Sequence, residues 1–533
     1  MDLSSNPYST TRHSIIAPRG VVATSQPLAV KAGLKMLELG GNAVDAAIAT
    51  AIALTVVEPT SNGLGADAFA LVWDGGKLSG LNGSGRAPAG LTLDLVRKHH
   101  SSMPQKGWMA VTVPGAPALW RDLHARFGKL PFSYLFEPAI MFATSGYPVS
   151  PIVAYYWARS VPIYTNLVGS EYKGWAKVFA PGGHSPRSGE KWRSLDHAAT
   201  LRRLAQSNCD DFYKGVTAAA IANFASETGG VMTEADLAAH TSTWVDPIST
   251  SYKGYDVWEI PPNGQGIVAL TGLNILEGFD LADSPRDSAA SFHLQIESLK
   301  LAFADGLRYV ADPAFADVPV AGLLDKQYAS ERRALIGNKA LQPAPGDPNS
   351  GGTVYLCAAD SDGMMVSFIQ SNYAGFGSGI VVPGTGIALQ NRGGNFNLDP
   401  NHPNHLEPGK RPYHTIIPGF LTKGGEPIGP FGVMGGFMQP QGHMQMVANT
   451  IDYAMNPQAS LDAPRWQWIE GKTVQVESDA HPSILSGLRA MGHQVEAVES
   501  GGAFGRGQII WRLPEGGYVA GSDKRADGYA GSS

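Results

Sequence analysis

The sequence predicts a protein of the α+β class, because helical and strand patterns occupy different stretches of the chain. Residues 26–39 place apolar side chains at helical spacing, and Asn42 is well suited to cap a second helix that follows. A further helical pattern covers residues 292–310. Residues 353–359 and 364–370 are apolar runs separated by a turn, which is typical of a strand hairpin.

The composition excludes several classes of function. The 533 residues are 43% hydrophobic and 16% charged, an ordinary balance for a globular protein, and the net charge is −6. Neither a basic stripe nor a cluster of lysines and arginines occurs, so we expect no nucleic-acid partner. Cys209 and Cys357 are too few for a disulfide framework, and no ligand spacing suggests a metal or another cofactor.

The sequence shows no targeting or membrane-spanning segment. Its first twenty residues lack the continuous apolar stretch of a secretory signal, and the longest apolar run, residues 46–57, is too short to cross a bilayer. We therefore expect a soluble, cytoplasmic protein that makes no membrane contact.

Thr353 lies where a linker meets the predicted hairpin. Residues 336–352 contain three prolines and four glycines and show little periodicity. A threonine hydroxyl becomes a nucleophile when a base takes its proton, and a chain-terminal threonine supplies that base as its own α-amine, with a pKa of about 7.7–8. Gly351-Gly352-Thr353 is also an ordinary junction between a loop and a strand, and both interpretations stay open at this point.

Separated blocks of sequence carry a family resemblance. They are GGNAVDAAIATAIALTVVEP (40–59), SGRAP (84–88), ESLKLAFADGLRYVADP (297–313), GT (352–353), FGSGIVVPGTGIALQNR (376–392), GKRPYHTIIP (409–418), MGG (434–436), LDAPRW (461–466) and SDKRADGYA (522–530). In this order they resemble the γ-glutamyltranspeptidase (glutathione hydrolase) family. The chain is most similar to its short cytoplasmic bacterial members, often labelled glutathione-hydrolase-like.

The resemblance implies a four-layer αββα sandwich, in which two antiparallel sheets lie between layers of helices. It also implies self-cleavage between Gly352 and Thr353, after which Thr353 is the nucleophile. Residues 1–352 would form a large subunit and residues 353–533 a small catalytic subunit, and both would remain in one folded unit. The expected assembly is this heterodimer or a dimer of it. Its partner is a small acidic amide substrate, and the chemistry needs no cofactor.

Four residues receive roles from the resemblance alone. Gly435 and Gly436 match the pair whose backbone N–H groups hold the oxyanion of the tetrahedral intermediate. Ser371 matches a hydroxyl residue that contacts the amine of the nucleophile. Arg86 matches the arginine that binds the α-carboxylate of a γ-glutamyl donor, a role that suits a planar guanidinium.

The remaining matches include departures from the family. Asn391 adjoins the substrate-binding strand, and His414 and Thr415 replace two serines that help to hold the carboxylate. The family holds the donor's α-ammonium with an asparagine, a glutamine and an aspartate; these positions are Tyr373 (with Asn372 as the alternative match), Arg392 and Asn395. An arginine and a neutral amide at such positions disfavour an ammonium group.

These residues lead to three hypotheses about function. The leading one is a self-processing enzyme that cleaves γ-glutamyl amides such as glutathione. Hydrolysis is favoured over transfer, because the loop at residues 395–410 is shorter than the lid-bearing stretch of secreted relatives. The alternative is an amidohydrolase on another acidic acyl amide, of the glutaryl (cephalosporin) or oxamate type. A third hypothesis is an uncleaved, inactive binding protein of the same fold.

Overall fold

The computed structural model describes residues 1–10, 12–343 and 352–533. The strands are β1 (Ile15–Ala17), β2 (Val21–Thr24), β3 (Asp67–Asp74), β4 (Lys77–Gly83), β5 (Tyr147–Pro148), β6 (Lys191–Trp192), β7 (Thr243–Val245), β8 (Ile248–Tyr252), β9 (Tyr255–Glu259), β10 (Gly352–Ala359), β11 (Met365–Tyr373), β12 (Gly419–Lys423), β13 (Glu426–Met434), β14 (Trp466–Glu470), β15 (Thr473–Glu477), β16 (Gln494–Val498), β17 (Arg506–Arg512), β18 (Tyr518–Ser522) and β19 (Tyr529–Ser532).

The helices of the described residues are α1 (Pro27–Glu38), α2 (Ala43–Val57), α3 (Leu93–Arg97), α4 (Ala116–Phe127), α5 (Glu137–Ser145), α6 (Pro151–Thr165), α7 (Lys173–Phe179), α8 (Leu195–Gln206), α9 (Asp210–Lys214), α10 (Val216–Glu227), α11 (Glu234–Ala238), α12 (Gly266–Leu276), α13 (Ala289–Tyr309), α14 (Val320–Leu323), α15 (Lys326–Arg333), α16 (Met438–Ile451), α17 (Pro457–Asp462) and α18 (Pro482–Ala490). None of them combines the length and the apolarity that crossing a bilayer requires.

Two seven-stranded antiparallel sheets form the centre of the molecule. Sheet I has the strand order β1-β18-β17-β13-β12-β9-β8, and sheet II has the order β19-β2-β10-β11-β3-β4-β7. The inner faces of the two sheets pack against each other through a core that includes Phe69, Tyr355, Ile369, Phe420 and Ile510. The central strand β10 therefore faces β13 and β17 across this core.

Helices cover the outer face of each sheet. Against sheet II lie α1, α2 and α4, and against sheet I lie α12, α16 and α17. Helix α2 is buried along its whole length, which explains why its sequence is apolar on every side rather than amphipathic. The order of layers is helix, sheet, sheet, helix, so the predicted four-layer αββα sandwich is confirmed.

The local predictions are also confirmed. The pattern at residues 26–39 is α1, and Asn42 caps α2 through a capping box with Asp45. The pattern at residues 292–310 lies in α13, and the predicted hairpin is β10 paired with β11. Each sheet contains strands from before and from after the Gly352–Thr353 bond, so the two predicted subunits share one pair of sheets.

Candidate active site

Thr353 is the second residue of β10 and is fully buried. Its Oγ1 donates a hydrogen bond to Ser371 Oγ on the neighbouring strand β11 at 3.0 Å, and Ser371 Oγ accepts the backbone N–H of Tyr373 at 2.7 Å. The pairing of β10 with β11 is irregular here, and Tyr373 has a φ of +76°, which is strained for a residue other than glycine. The linker prediction for residues 344–351, including Gly351, lies outside the described residues.

Asp67 lies directly opposite Ser371 in the pairing of β3 with β11. Its buried carboxylate accepts hydrogen bonds from the backbone N–H groups of Gly85 at 3.2 Å and Gly115 at 3.0 Å, and from His414 Nε2 at 3.1 Å. Burial raises the pKa of Asp67 to about 6, against the opposing effect of Arg392 and the two N–H groups. Asp67 is thus a partly shielded negative charge next to the Thr353–Ser371 pair.

His414 is the neutral partner of Asp67. Burial, followed by the positive charges of Arg392 and Arg411, holds the pKa of His414 well below its usual range. A neutral imidazole that donates through Nε2 cannot add a second positive charge to the pocket. His414 therefore orients the Asp67 carboxylate without adding a charge to those of the buried Arg392 and Arg411.

Arg392 begins a short 3₁₀ turn, Arg392–Asn395, and its side chain is completely buried. Nη1 donates to Thr415 Oγ1 at 2.6 Å, and the guanidinium lies 4.9 Å from the ring centre of Tyr373. Nε and Nη2 have no hydrogen-bond partner among the described residues. Burial lowers the pKa of Arg392 to about 10. A buried cation with two open donors is the arrangement that a carboxylate ligand completes.

Gly435 and Gly436 connect β13 to α16. Their φ values are +141° and +59°, a region that other residues rarely adopt, and a Cβ on Gly435 would lie 3.1 Å from the Cβ of Met438. The glycine pair follows β13. This strand faces β10, as the packing of the Tyr355 ring of β10 directly on Gly432 of β13 shows. The two backbone N–H groups of this pair thus lie directly after β13, the strand that faces β10.

Gln265 is a site residue that the sequence analysis did not identify. Its side-chain nitrogen donates to the carbonyl of Thr415 at 2.6 Å and to the carbonyl of Gly436 at 2.9 Å. Its side-chain oxygen accepts from the hydroxyl of Tyr413 at 3.1 Å. Direct contacts therefore run through one connected set of residues: Thr353, Ser371, Tyr373, Arg392, Thr415, Gln265 and Gly436.

A cleft of about 960 Å³ opens beside this set, and Tyr373 is the one member of the set that lines it. The part of its lining that lies near this set consists of the side chains of Tyr373, Tyr413, Phe437 and Asn395. Asn395 donates its amide to the carbonyl of Tyr413 at 3.1 Å. The volume exceeds that of a short acyl chain, so the cleft has room for a large amine portion of a substrate.

Three other predicted residues lie apart from this set. Arg86 donates to the carbonyl of Gly409 at 3.1 Å and lies 3.5 Å from the Asp312 carboxylate, outside the lining of the cleft. Asn391 fixes the turn after β11 by accepting the N–H of Ala374 at 3.1 Å. The alternation of side chains along β11 turns Asn372 to the opposite face from Ser371, which favours Tyr373 over Asn372 as the match to the family position.

The described residues contain one group with the ligand types of a cation site, His293, Glu297 and His493. The His293 and His493 rings already bond each other at 2.8 Å, and Lys300 Nζ donates to Glu297 at 2.7 Å. The lysine occupies the place of a positive ion beside the carboxylate. We therefore interpret the group as a buried hydrogen-bond network that connects α13 to the loop before β16.

Two face-to-face antiparallel sheets between helical layers, with a hydroxyl residue at the start of a central strand, define an N-terminal-nucleophile hydrolase. The family model described as Gamma-glutamyltranspeptidase matches residues 29–533, and the chain belongs to that family. The predictions of family, fold and enzymatic activity are thereby confirmed, and the hypothesis of an inactive binding protein is not supported.

Relatives of the chain include enzymes with different substrate names. The chain is 37% identical to the Glutathione hydrolase-like YwrD proenzyme of Bacillus subtilis (strain 168), over 97% of this chain and 99% of that protein. It is 34% identical to the Acylase ACY 1 proenzyme of Pseudomonas sp. (strain SE83), over 96% and 93%. The solved structure of cephalosporin acylase from Bacillus halodurans is 56% identical, with a TM-score of 0.95 over 100% of this chain and 99% of that chain. These similarities establish an amidohydrolase of the family, and the named proenzymes are consistent with processing into subunits.

Proposed function

We propose that the chain cleaves its own Gly352–Thr353 bond and then hydrolyses amides whose short acyl group ends in a carboxylate. The observation that carries the proposal is Arg392, a fully buried guanidinium with two donors that lack a partner among the described residues. It is connected to Thr353 through Tyr373 and Ser371. In this proposal, the acyl chain attached at the Thr353 hydroxyl places its terminal carboxylate on the Arg392 guanidinium.

The self-cleavage follows from the chemistry of a threonine hydroxyl next to a peptide bond. The Thr353 Oγ1 attacks the carbonyl carbon of Gly352, the bond from that carbon to the Thr353 nitrogen breaks, the Oγ1 proton passes to that nitrogen, and an ester forms. Water then hydrolyses the ester, which leaves a new carboxyl terminus at Gly352 and a free amine on Thr353. The hydrogen bond from Thr353 Oγ1 to Ser371 supports this step because it holds the hydroxyl in place.

Turnover uses the same hydroxyl. The freed amine of Thr353 takes the Oγ1 proton as Oγ1 attacks the substrate carbonyl, and the backbone N–H groups of Gly435 and Gly436 hold the resulting oxyanion. The proton passes to the leaving amine as the amide bond breaks. Water, activated by the same α-amine, then hydrolyses the acyl ester and restores Thr353.

The charges around Arg392 favour an acyl group without an ammonium. The nearby carboxylate of Asp67 already accepts three hydrogen bonds. Asn395 is neutral, and its side-chain amide donates a hydrogen bond to the carbonyl of Tyr413. An α-ammonium would lie close to the Arg392 cation, which is hydrogen-bonded to no carboxylate among the described residues, whereas a substrate carboxylate would fill its open donors. The similarity to acylases, including the cephalosporin acylase, supports a glutaryl-type acyl group with a bulky amine in the cleft.

The second candidate is a γ-glutamyl amide, the leading hypothesis from the sequence. The family match and the similarity to the glutathione-hydrolase-like relative support it. The γ-glutamyl and glutaryl groups have the same chain length and terminal carboxylate, and they differ only in the α-ammonium. A direct comparison of the two groups on one amine therefore isolates the effect of that ammonium.

The test uses p-nitroanilides of glutaric, γ-glutamic, oxalic and butyric acid with the mature enzyme. We expect the glutaryl amide to exceed the γ-glutamyl amide by about tenfold or more in kcat/KM, equivalent to about 1.4 kcal/mol. The butyryl amide, which lacks the carboxylate, should fall about 100-fold below the glutaryl amide. Preference for the γ-glutamyl amide would reverse the order of the two candidates. Equal rates for butyryl and glutaryl amides would overturn the role of Arg392.

A denaturing gel tests the self-cleavage. The wild-type protein should give two bands, corresponding to residues 1–352 and 353–533, and amino-terminal sequencing of the smaller band should begin at Thr353. The Thr353→Ala variant should remain a single chain without amidase activity. Cleavage of this variant would show that another residue is the nucleophile.

A further inference from the structure

The buried glutamine Gln265 lies between the two halves of the proposed site. It precedes α12, and its backbone N–H donates to the carbonyl of His414 at 2.9 Å. We infer that Gln265 is a positioning residue that couples the acyl-carboxylate subsite to the oxyanion hole. This inference rests on the proposed function of Thr353 and of the glycine pair.

Every hydrogen-bonding group of the Gln265 side chain is used within the site. The two amide hydrogens can serve one carbonyl each, and the structure places the carbonyls of Thr415 and Gly436 at 2.6 and 2.9 Å from the nitrogen. The oxygen accepts from the Tyr413 hydroxyl at 3.1 Å. All three partners are buried. Loss of the amide would leave the Thr415 carbonyl with no other donor among the described residues, whereas the Gly436 carbonyl would keep the backbone N–H of Gln439 at 3.2 Å.

The contact with Gly436 restrains a residue that is flexible by nature. At a φ of +59°, Gly436 has no side chain to hold its backbone in place. The hydrogen bond from Gln265, together with that from the Gln439 N–H at 3.2 Å, fixes the peptide group between Gly436 and Phe437, which directly follows the N–H groups of the glycine pair. An oxyanion donor must point at the position where the charge develops, so this restraint acts on the transition state rather than on the substrate.

The contact with Thr415 connects the same amide to the acyl subsite. The side-chain hydroxyl of Thr415 accepts a hydrogen bond from Nη1 of Arg392, and its carbonyl accepts one from the side-chain nitrogen of Gln265. A substrate carboxylate on Arg392 therefore acts on a residue that is one hydrogen bond away from Gln265. One amide thus holds both a residue of the acyl subsite and the carbonyl of the glycine pair.

The experiment compares three variants in the mature enzyme, with kcat calculated per cleaved chain from the gel. Gln265→Met removes both donors, and Gln265→Glu keeps the shape but faces two carbonyls with an acceptor. Gln445→Met is the matched control, because Gln445 is also a buried glutamine whose nitrogen donates to two carbonyls, those of Gln441 and Trp466, at 3.1 and 3.0 Å. All are assayed with the best p-nitroanilide of the wild-type enzyme.

We expect both Gln265 variants to lower kcat by about 10- to 100-fold, as a small misplacement of catalytic groups does, with KM changed less than about threefold. The Gln445 variant should lose thermal stability to a similar extent and keep its kcat. A rise in KM at unchanged kcat, or equal kcat losses in Gln265→Met and Gln445→Met, would overturn the inference. If Thr353→Ala is inactive while both Gln265 variants match the wild type, only the inference fails; if Thr353→Ala is active, the proposed function fails.

Discussion

Replacing Arg392 by glutamine should reduce activity strongly while leaving the folded state as stable as before. In the wild type, two open donors on a fully buried guanidinium are available for the substrate carboxylate. A charge-assisted hydrogen bond contributes about 1.5–3 kcal/mol, and a neutral amide recovers part of the pair, so we expect a loss of about 3 kcal/mol. That corresponds to a fall of about 100-fold in kcat/KM for the glutaryl amide.

The same replacement of Arg392 by glutamine is expected to raise the free energy of unfolding or to leave it unchanged. Burial lowers the pKa of Arg392 from 12.5 to about 10, which corresponds to a cost of about 3 kcal/mol for the charged folded state. Since the folded pKa is the lower one, this cost is present at every pH below about 10. The variant avoids this cost, but it also loses the hydrogen bond to Thr415 and the contact with Tyr373, which offsets about 1–3 kcal/mol of the gain in stability.

The assay pairs steady-state kinetics with urea unfolding. Kinetics on glutaryl and butyryl p-nitroanilides separate carboxylate recognition from general damage, because the butyryl amide should lose less than about threefold. Unfolding is measured in the Thr353→Ala background, where the chain stays whole. Equal losses on both substrates would refute the reasoning, as would a large drop in the urea midpoint. Arg86→Gln in the same assay tests the role predicted for Arg86, which requires an increase in KM for the carboxylate substrate.

Two further predictions concern the neighbours of this pocket. Acidification from pH 7.5 to 5.5 should lower KM for the glutaryl amide by about two- to tenfold, because Asp67, with a pKa raised to about 6, loses a charge that competes for Arg392. A KM for the glutaryl amide that stays constant between pH 7.5 and 5.5 would contradict this prediction. The raised pKa of Asp67 also means that the contribution of this carboxyl to the free energy of unfolding is fully present below pH 3.8 and is lost as the pH rises through about 6. Gly435→Ala should lower kcat by about 100- to 1000-fold by displacing an oxyanion donor. Gly363→Ala, at a φ of +91° with no atom within 4 Å of the new Cβ, is the matched control for backbone strain, and equal kcat values for the two variants would exclude the oxyanion role.

Local patterns were sufficient to predict the elements that carry the nucleophile. Apolar runs around a turn identified β10 and β11, whereas the linker ahead of Thr353 left the strand start open as a loop junction or a nucleophile until the family resemblance assigned its role. The cap at Asn42 followed from its position before an apolar run. Each of these signals depends on neighbours within a few residues, which is why sequence alone contained them.

Long-range contacts account for what the sequence did not predict. Gln265 acts on carbonyls 150 and 171 positions away, and nothing in a proline- and glycine-containing loop indicates such partners. Asp67 and His414 are 347 positions apart, so their pairing became visible only in the fold. Arg392 was expected to repel an ammonium, but its complete burial could not be predicted, because arginine is among the residues that are rarely buried.

The mixing of strands from both sides of residue 352 has a consequence for the lifetime of the mature enzyme. Strand β10 pairs with β2 from the first part of the chain, and in the other sheet β12 pairs with β9, also from the first part. An intact chain assembles these sheets in an intramolecular reaction. After a cut before Thr353, the same strands would have to find one another as two separate molecules, each with unpaired edges exposed. The precursor would recover from denaturation, whereas the cleaved enzyme would lose its activity permanently on its first complete unfolding.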